Sequence, residues 1–519
     1  MKKIFSLITI ICLGLTTMAQ SDIIYKGGSS TDPDAEYQLI RRHYTVNADG
    51  SSDFRFRKEI KIIRNRALTA YADKGESFIV WNPAIEKLTI NECYTLRADG
   101  SKVEMPKNAF VEQLPSGCTN CGRYNGIREM AVVHTGMEYG CTIVLDYTIH
   151  RNSNIIADHF VVAQDCPVKE YEIIVDLPDK NDTSLNFLWS KGEGNFPCSA
   201  TEINDIHAKH IRFHNVGQTY IDSYLPPASE LYPTVSIAYK NILTLVSLPS
   251  NDTIADAALL LASCYHDDTM KYIKAIRDYV VDAVHLNNIS PEHTGYTHAD
   301  ARTVWRSNCG TALDKAVLLT QLLRQAGMTA DVVPGMQRCG QGSESFAISA
   351  PDRSMVQVTL GEMKYWVSPL RKDPLRLIGA AHDAVRMVTI DKNIDCQPEP
   401  LAGNYYKIVL PKETDALDID PAQLTSVRTA PLLTGATDES YHYTVELPEG
   451  MRMVGKAINI TKSRNGMGSM QISVLQQGNT LDITRKLVLE KSTVSDSKDY
   501  KALREWMQLW SHHKEIIIK

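Results

Sequence analysis

The sequence predicts a multidomain α+β protein with a β-sandwich at each end and an α+β core between them. Three changes of pattern along the 519 residues support this architecture. Polar and apolar residues alternate as in half-buried strands up to about residue 240, the spacing becomes helical from about residue 252, and alternation returns after about residue 400. We therefore expect a signal peptide over residues 1–19, an N-terminal β-sandwich over 20–245, a core over 250–398 and a C-terminal β domain over 400–519.

The N-terminus has the three parts of a secretory signal peptide. Met1–Lys3 is a short basic start, Ile4–Leu15 is mostly apolar, and Thr17–Ala19 supplies the small residue after which cleavage is expected. The apolar run is too short for a membrane span, and no second long apolar stretch follows it. We therefore expect an exported protein whose mature chain has no transmembrane segment.

Charge and motif content argue against several function classes. Lysine and arginine total 55 against 61 aspartate and glutamate residues, for a formal net charge of −6. The basic residues form no cluster, so a nucleic-acid partner is not expected. The sequence has no Gly-rich phosphate loop, GxSxG elbow, HExxH motif or EF-hand loop. We therefore expect no cofactor and no bound metal.

Ten cysteines remain once the signal peptide is removed, at positions 93, 118, 121, 141, 166, 198, 264, 309, 339 and 396. An even number in an exported protein permits disulfides without fixing their connectivity. Cys118 and Cys121 form a CxxC motif in a loop-like context. We expect a disulfide between these two, or separate bridges to Cys93 or Cys141, in preference to redox chemistry or metal binding.

The two ends of the chain contain the patterns of strands. Cys141–Ile149 and Tyr171–Leu177 are rich in β-branched and aromatic residues, and Ala98–Ser101 contains the Asp-Gly pair of a hairpin turn. In the C-terminal part we predict two alternating strands, an amphipathic helix and a last strand, over Tyr441–Gly450, Thr480–Leu489, Tyr500–Leu509 and Glu515–Ile518.

The middle of the chain has helical spacing. A helix is expected near residues 254–262, and a second carries an apolar face at Met270, Ile273, Ile276, Val280 and Val284. These residues indicate core packing. A third helix should end at the glycine at position 327, a typical residue after a helix C-terminus. Strands are then expected at residues 329–334, 346–348, 355–360 and 365–367.

The stretch from Gly310 to Gly327 carries the most specific signal. It reads Gly-Thr-Ala-Leu-Asp-Lys-Ala and continues through two Leu-Leu pairs and an arginine. Thr311 is a good N-cap, and Asp314 is placed to complete a capping box. The frame resembles the nucleophile helix of transglutaminase-like cysteine enzymes, including secreted bacterial ones. The resemblance implies a papain-like α+β core.

The same resemblance implies that the catalytic residues are absent. In that family a cysteine near the helix N-terminus is activated by a histidine and an aspartate on two following strands. The three positions correspond here to Ala312, Ser354 and Ser368. We therefore expect no catalytic residue in this module. The alternative is an active enzyme that uses Cys309 as nucleophile with a remote base such as His382.

Four further residues lie in segments that the family places around its cleft: Trp305, Arg306, Lys364 and Trp366. Such a cleft is a preformed groove for a peptide or glycan. The competing interpretation of each residue is ordinary packing or surface exposure, and a groove filled by side chains would exclude the binding role.

The flanking regions extend the resemblance to most of the chain. They resemble a secreted β domain of unknown function that precedes such cores in Gram-negative bacteria, and a small β domain that follows them. Gly140–Tyr147 matches the middle strand of the first. The resemblance implies a protein of the periplasm or cell surface that binds or scaffolds an unidentified envelope protein, peptide or glycan. The alternative is a cysteine-dependent amidase, protease or acyl-transferase that uses Cys309.

Overall fold

The computed structural model describes residues 33–68, 77–179, 182–192, 196–205, 208–226, 228–240, 254, 260, 265, 267–333, 354–372, 375–377, 386–411, 419–426 and 428–519. The predicted signal peptide, most of the helix near residues 254–262, the strand at 346–348, and Cys264, Cys339 and His382 lie outside the described residues. Within the described ranges, no helix is long and apolar enough to cross a membrane.

The chain divides into two compact units. Of the described residues, those within 33–219 and 228–377 form the large unit, and those within 220–226 and 386–519 form the small unit. Strands dominate the described residues of both units. The prediction of a multidomain, strand-rich chain is confirmed, while the finer domain boundaries stay predictions.

The N-terminal part of the large unit is built from strands. They are β1 Ala35–Val46, β2 Ser52–Ile62, β3 Ser77–Trp81, β4 Glu86–Leu96, β5 Lys102–Glu104, β6 Phe110–Gln113, β7 Arg128–Val132, β8 Thr142–Arg151, β9 Ile156–Val161, β10 Val168–Asp176, β11 Leu185–Ser190, β12 Ser199–Asn204, β13 Ala208–Val216 and β14 Thr234–Tyr239, with the one-turn helix α1 at Ala228–Leu231. Short 3-10 helices lie at Lys107–Ala109, Ser116–Cys118 and Gly122–Tyr124.

An eight-stranded sheet organises this part, in the order β12-β13-β10-β1-β2-β8-β4-β5. Two three-stranded sheets, β11-β14-β9 and β3-β7-β6, contact it. Ile79 of β3 shares a buried cluster with Leu145 and Ile149 of β8, and the ring of Phe160 on β9 stacks on Tyr171 of β10. Alternate residues along the strands are therefore buried between sheets, which is the cause of the period-two pattern in the sequence.

Helices and a small sheet follow in the same unit. Their bounds are α2 Thr269–Ala283, β15 His285–Leu286, α3 Ala301–Ser307, β16 Cys309–Gly310, α4 Ala312–Gln325, β17 Thr329–Val333, β18 Met355–Leu360, β19 Met363–Val367 and β20 Arg376–Leu377, with a 3-10 helix at Pro291–Thr294. Strands β17 to β20 form one antiparallel sheet in sequence order. The prediction of a strand at 355–360 is confirmed.

Helix α4 is the centre of this region's core. Its two Leu-Leu pairs are fully buried and pack with Val356 and Val358 of β18. Burial of each leucine stabilises the fold by about 2 kcal/mol. Lys315 is also buried, and its Nζ donates to the carbonyl of Val284 at 2.6 Å, just beyond α2. Burial lowers the pKa of Lys315 to about 8.

The small unit contains the remaining strands and one helix. These are β21 Arg386–Ile394, β22 Glu399–Pro400, β23 Tyr406–Val409, β24 Leu432–Leu433, β25 Thr437–Glu446, β26 Ile458–Arg464, β27 Gly468–Gln477, β28 Thr480–Leu489, β29 Thr493–Val494, α5 Ser497–His512 and β30 Glu515–Ile518. The main sheet has the order β21-β25-β28-β27-β26, and α5 packs on it through a cluster that includes Tyr441 and Trp510. The predicted strands at Thr480–Leu489 and Glu515–Ile518 are confirmed.

The segment Tyr220–Pro226, hereafter the strap, belongs to the small unit although it is distant from it in sequence. Arg428 is 1% exposed and donates to the carbonyl of Ser223 at 2.7 Å. In return, the carboxylate of Asp222 accepts from the backbone nitrogens of Thr429 and Ala430 at 2.9 and 3.0 Å. Charged side chains and backbone groups therefore hold the strap.

Candidate functional site

The N-terminus of α4 is the position at which the predicted module would carry its nucleophile. The Oγ of Thr311 accepts from the backbone nitrogen of Asp314 at 3.3 Å, and the Asp314 carboxylate accepts from the backbone nitrogen of Thr311 at 2.8 Å. The predicted capping box is confirmed. Ala312 is the first helical residue, and its methyl group has no nucleophilic chemistry.

The carboxylate of Asp314 is fully buried and has two further donors. The backbone nitrogen of Ala299 donates to it at 2.6 Å, and the hydroxyl of Tyr124, from the N-terminal part of the unit, donates to it as well. Burial and the nearby Asp314 carboxylate raise the pKa of Tyr124 well above its ordinary value, so the phenol stays protonated as a donor. Gly310 is required here, because a Cβ at that position would lie 2.7 Å from the Cβ of Asp314.

Cys309 forms a disulfide with Cys121, with their Cα atoms 5.9 Å apart. The predicted disulfide between Cys118 and Cys121 is therefore wrong for this structure, and so are the alternative bridges from these two to Cys93 or Cys141. Cys118 is a buried free thiol. The reason is tertiary: the loop that carries the CxxC motif packs against Ile289 and Cys309, so the Cys121 side chain meets a partner 188 residues away. No local signal in the sequence indicates this pairing.

Hydrogen bonds from the Asn287 side chain and a close backbone approach at Gly117 hold the CxxC loop beside the chain that follows α2. The Nδ2 of Asn287, which is 1% exposed, donates to the carbonyls of Gly117 at 3.0 Å and Thr119 at 3.1 Å. A Cβ at Gly117 would lie 2.6 Å from the carbonyl oxygen of Asn288, so only glycine permits this approach. Sequence reasoning missed Tyr124 and Asn287, because neither lies in a recognisable motif.

The space beside Ala312 is almost completely filled. The cavity there has a volume of about 10 Å³, and its walls are Ile289, Pro291, Thr294, Thr297, Thr311, Ala312 and Leu313. A volume of this size holds about one water molecule. As far as the described residues show, this cavity has no room for a peptide or glycan.

The two positions that the resemblance predicts to replace the family's histidine and aspartate lie at neighbouring strand ends. Ser354 precedes β18 and is 1% exposed, while Ser368 follows β19 and is 6% exposed. The pairing of Val356 with Val367 places these ends next to each other in the sheet. The Oγ of Ser368 accepts from two backbone nitrogens of the following turn, at 3.2 Å each. This hydroxyl caps a turn.

The four predicted cleft residues lie on two elements, α3 and β19, and that they line one cleft stays a prediction. Trp305 stacks on Tyr279 of α2, with ring centroids 5.1 Å apart, and Arg306 is exposed at the end of α3. Lys364 and Trp366 alternate on β19 with Val367, which faces the α4 core. Since alternate residues of a strand point to opposite faces, Lys364 and Trp366 lie on the other side of the sheet.

A buried ionic group joins the N-terminal strands to the chain that lines the small cavity. The carboxylate of Glu86, which is fully buried, contacts Nδ1 of His293 at 2.7 Å and accepts from Nε of Arg151 at 2.8 Å. Burial raises the pKa of Glu86. The hydrogen bonds and charges of His293 and Arg151 lower the pKa by more than burial raises it, so the net shift is downward. The nearby Asn82 also donates to the carbonyl of His293, at 2.8 Å.

This group predicts an acid-sensitive stability. Because the folded pKa of Glu86 lies below its ordinary value of 4.5, its contribution is present above that value and is lost as the pH falls through the folded pKa. We expect Glu86→Gln to lower the free energy of unfolding by about 2 kcal/mol at pH 7 and to flatten its decrease below pH 5. Urea unfolding at a series of pH values measures both effects. Glu92→Gln is the control, because the Glu92 side chain is 46% exposed where it pairs with Arg57, and it should change stability by less than about 1 kcal/mol.

The disulfide predicts a second stability effect. Loss of the Cys121–Cys309 bond by Cys121→Ser should destabilise the large unit by about 3 kcal/mol, because the bond restricts the unfolded chain. Reductant should lower the unfolding midpoint of the unmodified protein by more than that of the variant. Cys198→Ser, at a free and partly exposed cysteine, serves as the control. Equal effects of reductant on the unmodified protein and on Cys121→Ser would contradict the assignment.

No group of three or more His, Cys, Asp or Glu side chains among the described residues is arranged to hold a metal ion. At the start of α4, Cys309 is bonded to Cys121, and the Asp314 carboxylate accepts a hydrogen bond from the Tyr124 hydroxyl. The site thus joins two parts of the large unit, through one covalent bond and several buried hydrogen bonds.

Comparison with known proteins identifies the two flanking regions. Residues 48–213 match the model of a domain of unknown function with a solved structure (DUF3857), and residues 406–518 match that of a second such domain (DUF3858). These matches confirm the predicted N-terminal domain of unknown function and a distinct C-terminal domain. No curated protein matches the chain.

A crystal structure shows the same fold over most of the chain. It is that of a protein of Parabacteroides distasonis ATCC 8503 described as a "putative protease", and the match covers 93% of this chain and 99% of that chain, with 24% identity and a TM-score of 0.70. A CBM3a-L domain of the cellulosomal scaffoldin cipA from Clostridium thermocellum matches 24% of this chain and 72% of its own length at 11% identity. The TM-score of that match is 0.14.

Proposed function

We propose that this chain is an exported cell-envelope protein whose central region is a non-catalytic transglutaminase-like module that serves as a scaffold. One observation carries the proposal: side chains of the same chain pack against the N-terminus of α4. A cysteine enzyme of this kind needs a free nucleophile at this helix end. Here the position is surrounded by the hydrogen bond from Tyr124 to Asp314 and by the Cys121–Cys309 disulfide.

The residues at the three triad positions support the same conclusion. Ala312 offers a methyl group, and Ser354 and Ser368 are buried hydroxyls that can neither accept a proton as imidazole does nor carry the charge of a carboxylate. Within the part of the chain that the structure describes, the cavity of about 10 Å³ beside Ala312 is too small for a substrate. We therefore place the binding of an envelope protein, peptide or glycan on outer surfaces of the scaffold and not at α4.

The alternative is a cysteine-dependent enzyme with Cys309 as nucleophile. The description of the Parabacteroides protein makes proteolysis the reaction to test. This alternative requires the Cys121–Cys309 bond to be broken, because a disulfide sulfur is not a nucleophile. It also requires movement of the loop that buries Cys309, which is 4% exposed.

The test is an activity assay of the full mature chain before and after reduction. Fluorescent casein measures proteolysis, and casein with a fluorescent amine measures transamidation. We expect no turnover in either state. Turnover after reduction that disappears in Cys309→Ser and persists in Cys141→Ser, at another buried free cysteine, would overturn the proposal in favour of the enzyme.

A further inference from the structure

Three cysteines share one buried cluster beside the start of α4. Cys118, Cys121 and Cys309 pack together with Tyr124 and Ile289, and the three are 0%, 4% and 4% exposed. Two of them form the disulfide and the third is a free thiol. The free thiol and the bond are thus enclosed in the same apolar surroundings.

The local chain keeps the two cysteines of the CxxC motif close. Cys118 ends one 3-10 helix and Cys121 immediately precedes the next. Between them, Asn120 adopts a left-handed conformation with φ of 64°, which turns the chain within two residues. A CxxC spacing is known to accommodate a disulfide between its own cysteines.

We propose that Cys118 is an internal attacking thiol that can exchange the Cys121–Cys309 disulfide for a Cys118–Cys121 disulfide. Cys118 first loses its proton to solvent. Its thiolate then forms a bond to Sγ of Cys121, the bond between Cys121 and Cys309 breaks, and the electron pair leaves with Sγ of Cys309, which takes up a proton. The step begins and ends with one thiol and one disulfide. No electrons are gained or lost overall, so no oxidant or reductant is needed.

Burial keeps the exchange slow in the resting structure. It raises the pKa of the Cys118 thiol to about 11, with a smaller contribution from Glu129. At pH 7 only about one molecule in ten thousand therefore carries the thiolate that attacks. Local opening of the loop returns Cys118 toward the ordinary thiol pKa of about 8.5, so opening and exchange are coupled.

The exchange would change what holds the large unit together. It removes the covalent link between the CxxC loop and the chain leading into α4, and it leaves Cys309 as a free thiol. The hydrogen bonds from Asn287 to Gly117 and Thr119, and from Tyr124 to Asp314, involve no sulfur and remain available to hold the loop. The Cys121–Cys309 link is therefore a covalent bond that the chain can break with its own Cys118 thiol.

Tryptic peptides distinguish the two pairings directly. Residues 108–123 contain both cysteines of the motif, and residues 307–315 contain Cys309. The resting disulfide joins the two peptides, whereas the exchanged disulfide lies within the first alone and leaves the second with a thiol. The full chain is incubated at dilute concentration without added thiol from pH 7 to 10, quenched with acid, alkylated and digested, while circular dichroism checks that it stays folded.

We expect the rate at which the internal disulfide of residues 108–123 appears to rise about tenfold for each pH unit. Cys141→Ser, which removes another buried thiol outside the cluster, should behave like the unmodified protein. Cys118→Ser and Cys118→Ala should keep the joined peptides at every pH. Three results would overturn the proposal: joined peptides that persist in the unmodified protein at pH 10, a Cys118–Cys309 product, or equal release of Cys309 in the Cys118 variants.

Discussion

Replacing Asp314 with alanine should lower the free energy of unfolding of the large unit by about 4 kcal/mol. The carboxylate is fully buried and accepts from the backbone nitrogens of Thr311 and Ala299 and from the hydroxyl of Tyr124. Each buried donor left without an acceptor costs about 1–3 kcal/mol. Loss of the carboxylate also removes a favourable charge at the N-terminus of α4.

Urea unfolding followed by circular dichroism measures this effect. Asp331→Ala is the matched control, because Asp331 is 57% exposed and pairs with the half-exposed Arg324. That variant should change stability by less than about 1 kcal/mol. Tyr124→Phe should be intermediate, since it removes only one of the three donors. Equal stability of Asp314→Ala and Asp331→Ala would show that the start of α4 is not held in this way.

Replacing Arg428 with methionine should destabilise the small unit by about 4 kcal/mol. The guanidinium is buried and donates to the carbonyls of Ser223 at 2.7 Å, Ala430 at 2.8 Å and Pro431 at 2.9 Å. Methionine retains much of the side-chain volume but leaves these carbonyls without their charged donor. The expected loss is therefore that of several buried hydrogen bonds and not of packing.

The strap gives this prediction a local measurement. Hydrogen exchange at the backbone nitrogen of Leu433, which donates to Tyr224 at 2.9 Å, should accelerate in Arg428→Met as the strap loosens. Lys462→Met is the control, at an exposed pair with Glu505. It should leave both the unfolding midpoint and this exchange rate nearly unchanged. Protection of Leu433 that is the same in both variants would contradict a role for Arg428 in holding the strap.

Features that depend on neighbouring residues were predictable from the sequence. The capping box of Thr311 and Asp314, the end of α4 before Gly327 with its φ of +83°, and the last strand at Glu515–Ile518 all follow from local backbone chemistry. Helix α5 extends beyond the predicted Tyr500–Leu509 to Ser497–His512, because its N-cap Asp496 satisfies the first backbone nitrogens. Helix ends depend on such caps more than on apolar spacing.

The candidate site was only half predictable. The sequence marked α4 and the residues that stand at the three triad positions, because that information is local to each segment. It could not show that Tyr124 reaches Asp314 from 190 residues away, or that Cys121 and not Cys118 bonds to Cys309. Such pairs depend on how distant segments pack, and a polar residue in a loop carries no periodic signal of its partner.

The sequence by itself determined the change from strand-like to helical spacing and back, the identity of the residues at the start of α4 and the alternation of Lys364 and Trp366 with Val367 along β19. Only the tertiary structure decided which face of that sheet meets α4, which cysteines bond, and that the strap Tyr220–Pro226 belongs to the small unit. The physical reason is the range of the interactions. Backbone hydrogen bonding and side-chain periodicity act within a few residues, whereas burial and disulfide formation depend on contacts that exist only once the chain has folded.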